Sequence, residues 1–204
     1  MDSSVKEAIA KWPNVPAVYG WLSLDERGRW HIHDDGEATH GGPGAPITSP
    51  QILAFIGRNY ESDKQGQWFF QNGPQRVFVR LDAAPLILRV SDNNNALITH
   101  TQEPVLRIDS WWLDELGNLY AQTDKGPGRV DNRDLERVFD SLDREPHREC
   151  LLDSIESLLA DDTISHCLVS HTHYPLPVPL YLRTHADHVA TALGFVANPL
   201  PPSR

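Results

Sequence analysis

Apolar residues along this chain recur mainly at every second position, in short runs bounded by glycine, proline, asparagine and aspartate. Val77, Val79 and Leu81 alternate with residues of the opposite face, which is the pattern of a half-buried strand in an antiparallel sheet. Similar criteria predict short strands at 18–24, 29–33, 67–71, 76–81, 85–90, 97–101, 105–108 and 163–169. Turns are predicted between them, among them 72–74 and 91–95.

The first two predicted strands form a hairpin across the turn at 25–28. If Leu24 pairs with Arg29, a period of two puts His33 on a face near a rim or surface of the sheet. The other face then carries the residues that we expect in the core, Tyr19, Trp21, Trp30 and Ile32.

A spacing of three and four residues predicts helices elsewhere. The clearest apolar stripe follows a cap at Asp131 or Asn132 and consists of Leu135, Val138, Phe139 and Leu142. Further helices are predicted at about 4–12, 52–60, 150–159 and 184–193.

One stretch occurs twice. The pattern Leu-Asp-Glu-x-Gly-x-apolar begins at Leu24 and again at Leu113, and each copy is followed by Gly-Pro-Gly, at 42–44 and 126–128, and then by a helical pattern. Internal self-similarity of this kind is evidence about architecture. It predicts an α+β protein whose mainly antiparallel sheet is built from two repeated hairpin-loop-helix units with an intervening meander, plus a small α/β C-terminal lobe.

The domain organisation that follows from this repeat has three parts. An N-terminal helical arm is expected at 1–17, the duplicated core at 18–143, and the C-terminal lobe at 144–204, where the composition changes. We expect the tail from 199 to be disordered.

Charge and cysteine content narrow the class of protein. The net charge is -10, from 28 acidic and 18 basic residues, and no basic patch stands out, so we do not expect a nucleic-acid partner. No apolar run is long enough to cross a membrane. The start of the sequence lacks the apolar region of a signal peptide, and Cys150 and Cys167 are the only cysteines. These features predict a cytoplasmic protein with reduced thiols.

Motifs between about 20 and 109 resemble those of a known family. In order they are Gly44-x-Pro46-Ile47, a short apolar helix, Asp63-x-x-Gly66-x-Trp68, Arg76-Val77-x-Val79, Asp82-Ala83-Ala84-Pro85-Leu86 and Leu97-Ile98-Thr99. They are similar to the uncharacterised bacterial family named domain of unknown function 1285 (DUF1285). The family's Asp-Ala-Pro-Phe motif is lengthened here by one alanine and carries Leu86 for Phe, and His100 stands where the family has Asn. The resemblance implies an α+β fold of repeated hairpin and helix motifs, no attached catalytic activity, and a suggested role in signalling or recognition.

Histidines and a cysteine near the C-terminus are candidate zinc ligands. A thiol on a strand, a His-x-His pair and a helical His pair could converge on Zn; these residues are Cys167, His171, His173, His185 and His188. The alternative is that they are polar loop and surface residues, because their spacing matches no known zinc motif closely.

Consecutive tryptophans suggest a different kind of site. Trp111 and Trp112 must point to opposite faces of a strand, so one of them cannot share the other's core. It lines a ligand groove near Asn72 and Arg76, or it is buried under the C-terminal lobe. We therefore predict a non-enzymatic module without a cofactor that recognises a small molecule or a protein. The alternatives are a zinc-dependent hydrolase-like enzyme that uses the histidine and cysteine cluster, and a structural partner in an assembly.

Overall fold

A computed structural model describes residues 1–92 and 95–202. The chain forms two compact units, which are described separately: unit 1 comprises Met1–Pro85 and the chain from Gly194, and unit 2 comprises Leu86–Leu193. Each unit contains one sheet and a few helices, which confirms the predicted α+β class. Part of the predicted turn at 91–95 and the end of the predicted disordered tail, 203–204, lie outside the described residues. Among the described residues, no helix is long and apolar enough to cross a membrane.

Unit 1 is built on a sheet with one parallel contact. Its elements are α1 (Ser3–Lys11), β1 (Val18–Leu24), β2 (Trp30–Ile32), a 3-10 helix (Glu37–His40), β3 (Ala45–Pro46), α2 (Pro50–Arg58), β4 (Tyr60–Ser62), β5 (Trp68–Asn72) and β6 (Gln75–Leu81). The strand order is β3-β2-β1-β6-β5-β4. Neighbouring strands are antiparallel except β1 and β6, which run in parallel.

Val77, Val79 and Leu81 are buried on one face of β6 as predicted, but Phe78 on the other face is buried as well, so the strand is not simply half-buried. Helix α2 packs on the face that carries Val77. Phe70 lies opposite Val77 across β5 and β6, and its ring meets the ring of Phe55 on α2 edge-on, with centroids 5.5 Å apart. Helix and sheet therefore share one hydrophobic layer.

The predicted register of the first hairpin is wrong by one residue. Leu24 pairs with Trp30, not with Arg29, because the hairpin continues one residue further into the turn, where the Asp25 N–H donates to the carbonyl oxygen of Arg29. Trp30 is buried as expected, but Trp21 and Ile32, also expected in the core, are 43% and 42% exposed. His33, expected near a rim or surface, is buried beside Ser23, because β1 is covered on both faces.

In this turn and in two others, the side chain of an aspartate accepts hydrogen bonds from the backbone of the turn. Asp25 Oδ1 accepts the backbone N–H groups of Arg27 and Arg29, at 2.9 and 2.8 Å. Asp63 and Asp114 accept from the residues two and four positions onward in the same way, at 2.7 to 2.9 Å. The glycine three residues after each aspartate has φ of +76°, +76° and +82°, which glycine adopts without a steric penalty. The carboxylate of the repeated Leu-Asp-Glu motif is therefore a structural group.

Unit 2 has a larger mixed sheet. Its elements are β7 (Leu86–Val90), β8 (Leu97–Thr99), β9 (Ile108–Asp114), β10 (Leu119–Thr123), β11 (Gly126–Val130), α3 (Leu135–Phe139), β12 (Leu142–Arg144), β13 (Glu149–Cys150), α4 (Leu151–Ala160), β14 (His166–His171), β15 (Val178–Thr184) and α5 (Ala186–Ala192). The order is β13-β12-β14-β15-β9-β10-β11-β7-β8. The contacts of β15 with β9 and of β11 with β7 are parallel.

Three expectations about this region need correction. The second Gly-Pro-Gly segment is not a loop but part of β11, where it pairs with β10 and β7. The predicted helix ends at Phe139, and Leu142 instead begins β12 and pairs with His171. A division at 143 falls within β12, and the described residues after it do not form a separate lobe, because β15 hydrogen-bonds directly to β9 in one sheet. The helical arm expected at 1–17 is likewise part of unit 1.

Candidate functional site

A cleft of ≈ 440 Å³ opens in unit 1 on the side of the sheet that α2 covers. Its wall is apolar apart from two carboxamides, Asn72 and Gln75, and none of the lining residues is charged. Leu22 and Ile56 form a buried floor, whereas three large apolar side chains are exposed at its walls: Trp21 by 43%, Ile32 by 42% and Ile52 by 50%. Clustered exposure of large apolar groups is typical of a binding surface.

The register of the sheet explains how the cleft forms. Leu22 and Ile32 lie opposite each other on β1 and β2. Along the parallel contact, Val18 pairs with Val77 but Leu22 pairs with Val79, so β1 contains extra residues and bulges. Val18 and Trp21, three residues apart, both line the cleft, because the bulge changes the alternation of side chains between them.

Gly20 is required in this bulge. It has φ of +80°, and a Cβ atom at this position would lie 1.9 Å from the carbonyl oxygen of Gly36. No other residue can be accommodated there without movement of the backbone. The shape of this side of the cleft therefore depends on a close approach between two glycines.

The carboxamides lie at the ends of a tight turn. Asn72 ends β5 and Gln75 begins β6, and Gln75 Nε2 donates to the carbonyl oxygen of Pro16 at 3.2 Å. Asn72, one of the four residues predicted to bind a ligand, lines the cleft. Arg76, another of the four, does not, because its guanidinium lies 4.6 Å above the ring of Phe69.

The two tryptophans that were predicted to bind a ligand belong to unit 2. Trp111 and Trp112 do face opposite sides of β9, as expected from the strand period. Trp111 is fully buried, so it cannot line an open groove, and its ring centroid lies 6.1 Å from that of His171. Trp112 stacks on Tyr181 at 4.2 Å, and its Nε1 donates to Ser110 Oγ at 2.9 Å.

The candidate zinc ligands do not converge. Cys167 and His171 are four residues apart on β14, which separates them by about 13 Å along a strand. His171 Nδ1 accepts the backbone N–H of His173 at 3.0 Å, while the rings of His185 and His188 lie 5.5 Å apart at α5. Across the described residues, no three histidine, cysteine, aspartate or glutamate side chains are placed to hold a metal ion.

Burial also affects the protonation of two of these candidate ligands, His171 and Cys167. Burial, and next the neighbouring His173, lower the pKa of His171 to about 4, so its imidazole is neutral at physiological pH. Burial raises the pKa of the Cys167 thiol, which favours the protonated, unreactive form.

A buried polar cluster in unit 1 was missed by sequence reasoning. Ser23 Oγ lies 2.9 Å from His33 Nε2, and His33 Nδ1 lies 3.9 Å from Glu37 Oε1. Burial lowers the pKa of His33. The arrangement has the residue types of a Ser-His-acid triad, but Ser23 and His33 are both buried, which closes the hydroxyl to a substrate. The expected hairpin register placed Ser23 opposite Trp30, whereas the observed register places it opposite His31, so the local sequence carried no signal for this cluster.

Comparison with known proteins gives the family of the chain but no activity. Residues 1–200 match the model of a family described as "Protein of unknown function (DUF2946)". The chain belongs to this family. No curated protein matches it. Among solved structures, it is similar to a DUF1285 family protein from Silicibacter pomeroyi DSS-3, with 13% identity, 92% of this chain and 98% of the other covered, and a TM-score of 0.49. It is also similar to a DUF1285 family protein from Shewanella baltica OS155, with 12% identity, 58% and 89% covered, and a TM-score of 0.42. DUF1285 is the family that the motifs between 20 and 109 resemble.

Proposed function

We propose that this protein is a non-enzymatic recognition module that binds a neutral, largely apolar small molecule in the cleft of unit 1. The observation that carries the proposal is a cleft of ≈ 440 Å³ with apolar, partly exposed walls and two carboxamides. Its volume lies in the range of ligand sites, about 300 to 1,000 Å³, and a few polar groups among apolar walls are typical of such sites.

The chemistry of the lining defines the ligand class. A buried charge without a partner is strongly unfavourable, and the cleft offers no side chain of opposite charge. The amides of Asn72 and Gln75 can donate to and accept from a hydroxyl, carbonyl or ether oxygen. A neutral molecule with an apolar body and one such group therefore fits, whereas a fatty-acid carboxylate does not.

The test uses Nile red, a neutral apolar dye whose fluorescence increases in an apolar site. We expect saturable binding to the wild type and at least about a tenfold loss of affinity in Ile52→Glu, because a carboxylate would stand in the wall. Ile52 is at the third position of α2 after Ser49, where glutamate is favourable for a helix, so the fold should survive. Leu116→Glu is the matched control, since Leu116 is an exposed leucine in unit 2.

Two results would count against this proposal. If Nile red does not bind, or if it binds equally to wild type and Ile52→Glu, the cleft is not its site. If sedimentation shows a dimer that Ile52→Glu dissociates, the cleft is occupied by a second copy of the chain and not by a small molecule.

We also propose that the two sheets descend from one duplicated unit. In unit 1 the order is β3-β2-β1-β6-β5-β4 with α2 between β3 and β4; in unit 2 the order β11-β10-β9-β15-β14-β12 occurs with α3 between β11 and β12. The central parallel contact, β1 with β6 or β9 with β15, occurs in both. The same aspartate turn joins β1 to β2 and β9 to β10. These agreements support a repeat longer than the hairpin, loop and helix seen in the sequence.

The proposed setting is the cytoplasm, with a regulatory role exerted through the ligand-bound state. Both Cys150 and Cys167 are free thiols, which supports a reducing compartment.

A further inference from the structure

The starting point is the position that corresponds to the floor of the cleft in the second sheet. Leu22 lies two residues before the repeated motif that begins at Leu24, and Trp111 lies two residues before the motif at Leu113. On its two neighbouring strands, Leu22 is paired with Ile32 and Val79, and Trp111 is paired with Ala121 and Leu180. Trp111 therefore occupies in unit 2 the place of Leu22 in unit 1.

The end of the cleft that carries the carboxamide has a counterpart too. Phe70 on β5 pairs with Val77 on β6, and Val169 on β14 pairs with Val178 on β15. Val77 lies two residues before Val79, the partner of Leu22. Val178 likewise lies two residues before Leu180, the partner of Trp111. Counting two residues onward from Phe70 and Val169, the position of Asn72 corresponds to that of His171.

In unit 2 this space is filled by aromatic rings. Trp111 is fully buried, and His171 is buried beside it with an angle of 23° between the ring planes. The ring of Tyr174 lies 5.1 Å from that of His171, and its hydroxyl donates to the carbonyl oxygen of Val105 at 3.0 Å. An indole is much larger than the side chain of Leu22, so the position that forms the cleft floor in unit 1 holds a large, fully buried ring in unit 2.

Unit 2 does have a cleft of ≈ 430 Å³, but its chemistry is different. It is lined by the segments 106–109 and 173–178 and includes neither Trp111 nor Leu180. Arg107 and Asp109, which form an ion pair of 2.7 Å, are part of its wall. It is therefore not an equivalent neutral site.

We infer that Leu22 and Trp111 determine which of the two sheets binds the ligand: the small side chain keeps the site of unit 1 open, and the indole closes its counterpart in unit 2. The inference rests on the proposed function of the cleft and deepens it. One ligand per chain, bound in unit 1, is the consequence.

The experiment transfers the closed arrangement to unit 1. Leu22→Trp introduces the indole, and Leu22→Trp with Ile32→Ala reproduces the Trp111 and Ala121 pair of unit 2 and gives the ring more room. Leu116→Trp, which makes the same exchange at an exposed leucine of unit 2 outside the cleft, is the control. In Nile red titrations we expect one site per chain for wild type, at most about a threefold change for Leu116→Trp, and at least about a tenfold loss of affinity for both variants that carry tryptophan at position 22.

The outcomes separate the two proposals. If wild type binds and Ile52→Glu does not, but both tryptophan variants bind like wild type, the inference from Leu22 and Trp111 is overturned and the proposed function stands. If wild type does not bind, the proposed function fails, and filling of the cleft is tested without a ligand. The introduced indole should then be shielded from acrylamide without a lower thermal midpoint; an accessible indole in both variants overturns the inference.

Discussion

Replacement of His171 by asparagine should remove a defined part of the acid sensitivity of folding. His171 is buried on β14, and its pKa is lowered to about 4 by burial and then by His173. The unfolded chain takes up a proton near the ordinary value of about 6.5, but the folded chain does so only near 4. The neutral imidazole thus stabilises the fold above about pH 6.5, and this stabilisation decreases as the pH falls from 6.5 to 4.

The size of the effect follows from the same two values. Each pKa unit corresponds to about 1.4 kcal/mol, so the complete contribution is about 3 kcal/mol, of which about 2 kcal/mol is lost by pH 5. Asparagine is chosen because its Oδ1 can take the place of Nδ1 as acceptor for the His173 N–H. Any packing loss in His171→Asn is independent of pH and cancels when two pH values are compared.

The assay is urea unfolding of both proteins at pH 7.5 and pH 5.0, with direct titration of the His171 ring by NMR. Wild type should lose about 2 kcal/mol more than His171→Asn between the two pH values. Equal losses in the two proteins, or a ring that titrates near 6.5, would refute the assignment of His171 as a buried neutral group.

Two other substitutions or treatments test the structure itself. Gly20→Ala should lower the free energy of unfolding, measured by thermal unfolding, by at least about 2 kcal/mol, because its Cβ would meet the Gly36 carbonyl at a positive φ. Gly73 has a φ of +57° and no atom within 4 Å of an added Cβ. Gly73→Ala should therefore cost only about 1 kcal/mol in the same assay. Similar losses in both would contradict the tight approach at Gly20. Dialysis against EDTA should leave the thermal midpoint unchanged, because Cys167, His171 and His185 do not form a three-ligand cluster with any other residue that the structure describes. A lower midpoint that zinc restores would disprove this geometry.

Local patterns located β1, β2, β5, β6, β7, β8 and β14 but missed several shorter or later strands and did not give all registers. The period of two correctly predicted strand β6, and it correctly predicted that Trp111 and Trp112 point to opposite faces of their strand, because a strand fixes the alternation of its side chains. The hairpin register failed by one residue, since the turn closes at Arg29 through Asp25. The second copy contained the missing signal: Leu113 and Leu119 are both apolar at the ends of the motif, and they pair with each other.

The cleft could not have been predicted from local patterns. It needs β1 next to β6 in parallel, so that Leu22 and Val77 share a wall, and no periodicity reports a contact between strands so far apart in sequence. The prediction that the Trp111 ring could line a groove failed for a related reason. Sequence alone shows that Trp111 and Trp112 face opposite sides, but the register with β15 decides which side is the interior.

The proposed ligand site of unit 1 has an energetic cost that the filled position of unit 2 does not have. Large apolar side chains left in water, as at Ile32 and Ile52, forgo the stabilisation that burial gives, about 25 cal/mol per Å². Unit 2 avoids that loss with Trp111, a change available to unit 1 by substitution of the single residue Leu22. Under the proposed duplication, an open cleft in unit 1 and a closed counterpart in unit 2 are what selection for a single ligand site would leave, because stability alone favours the filled arrangement in both units.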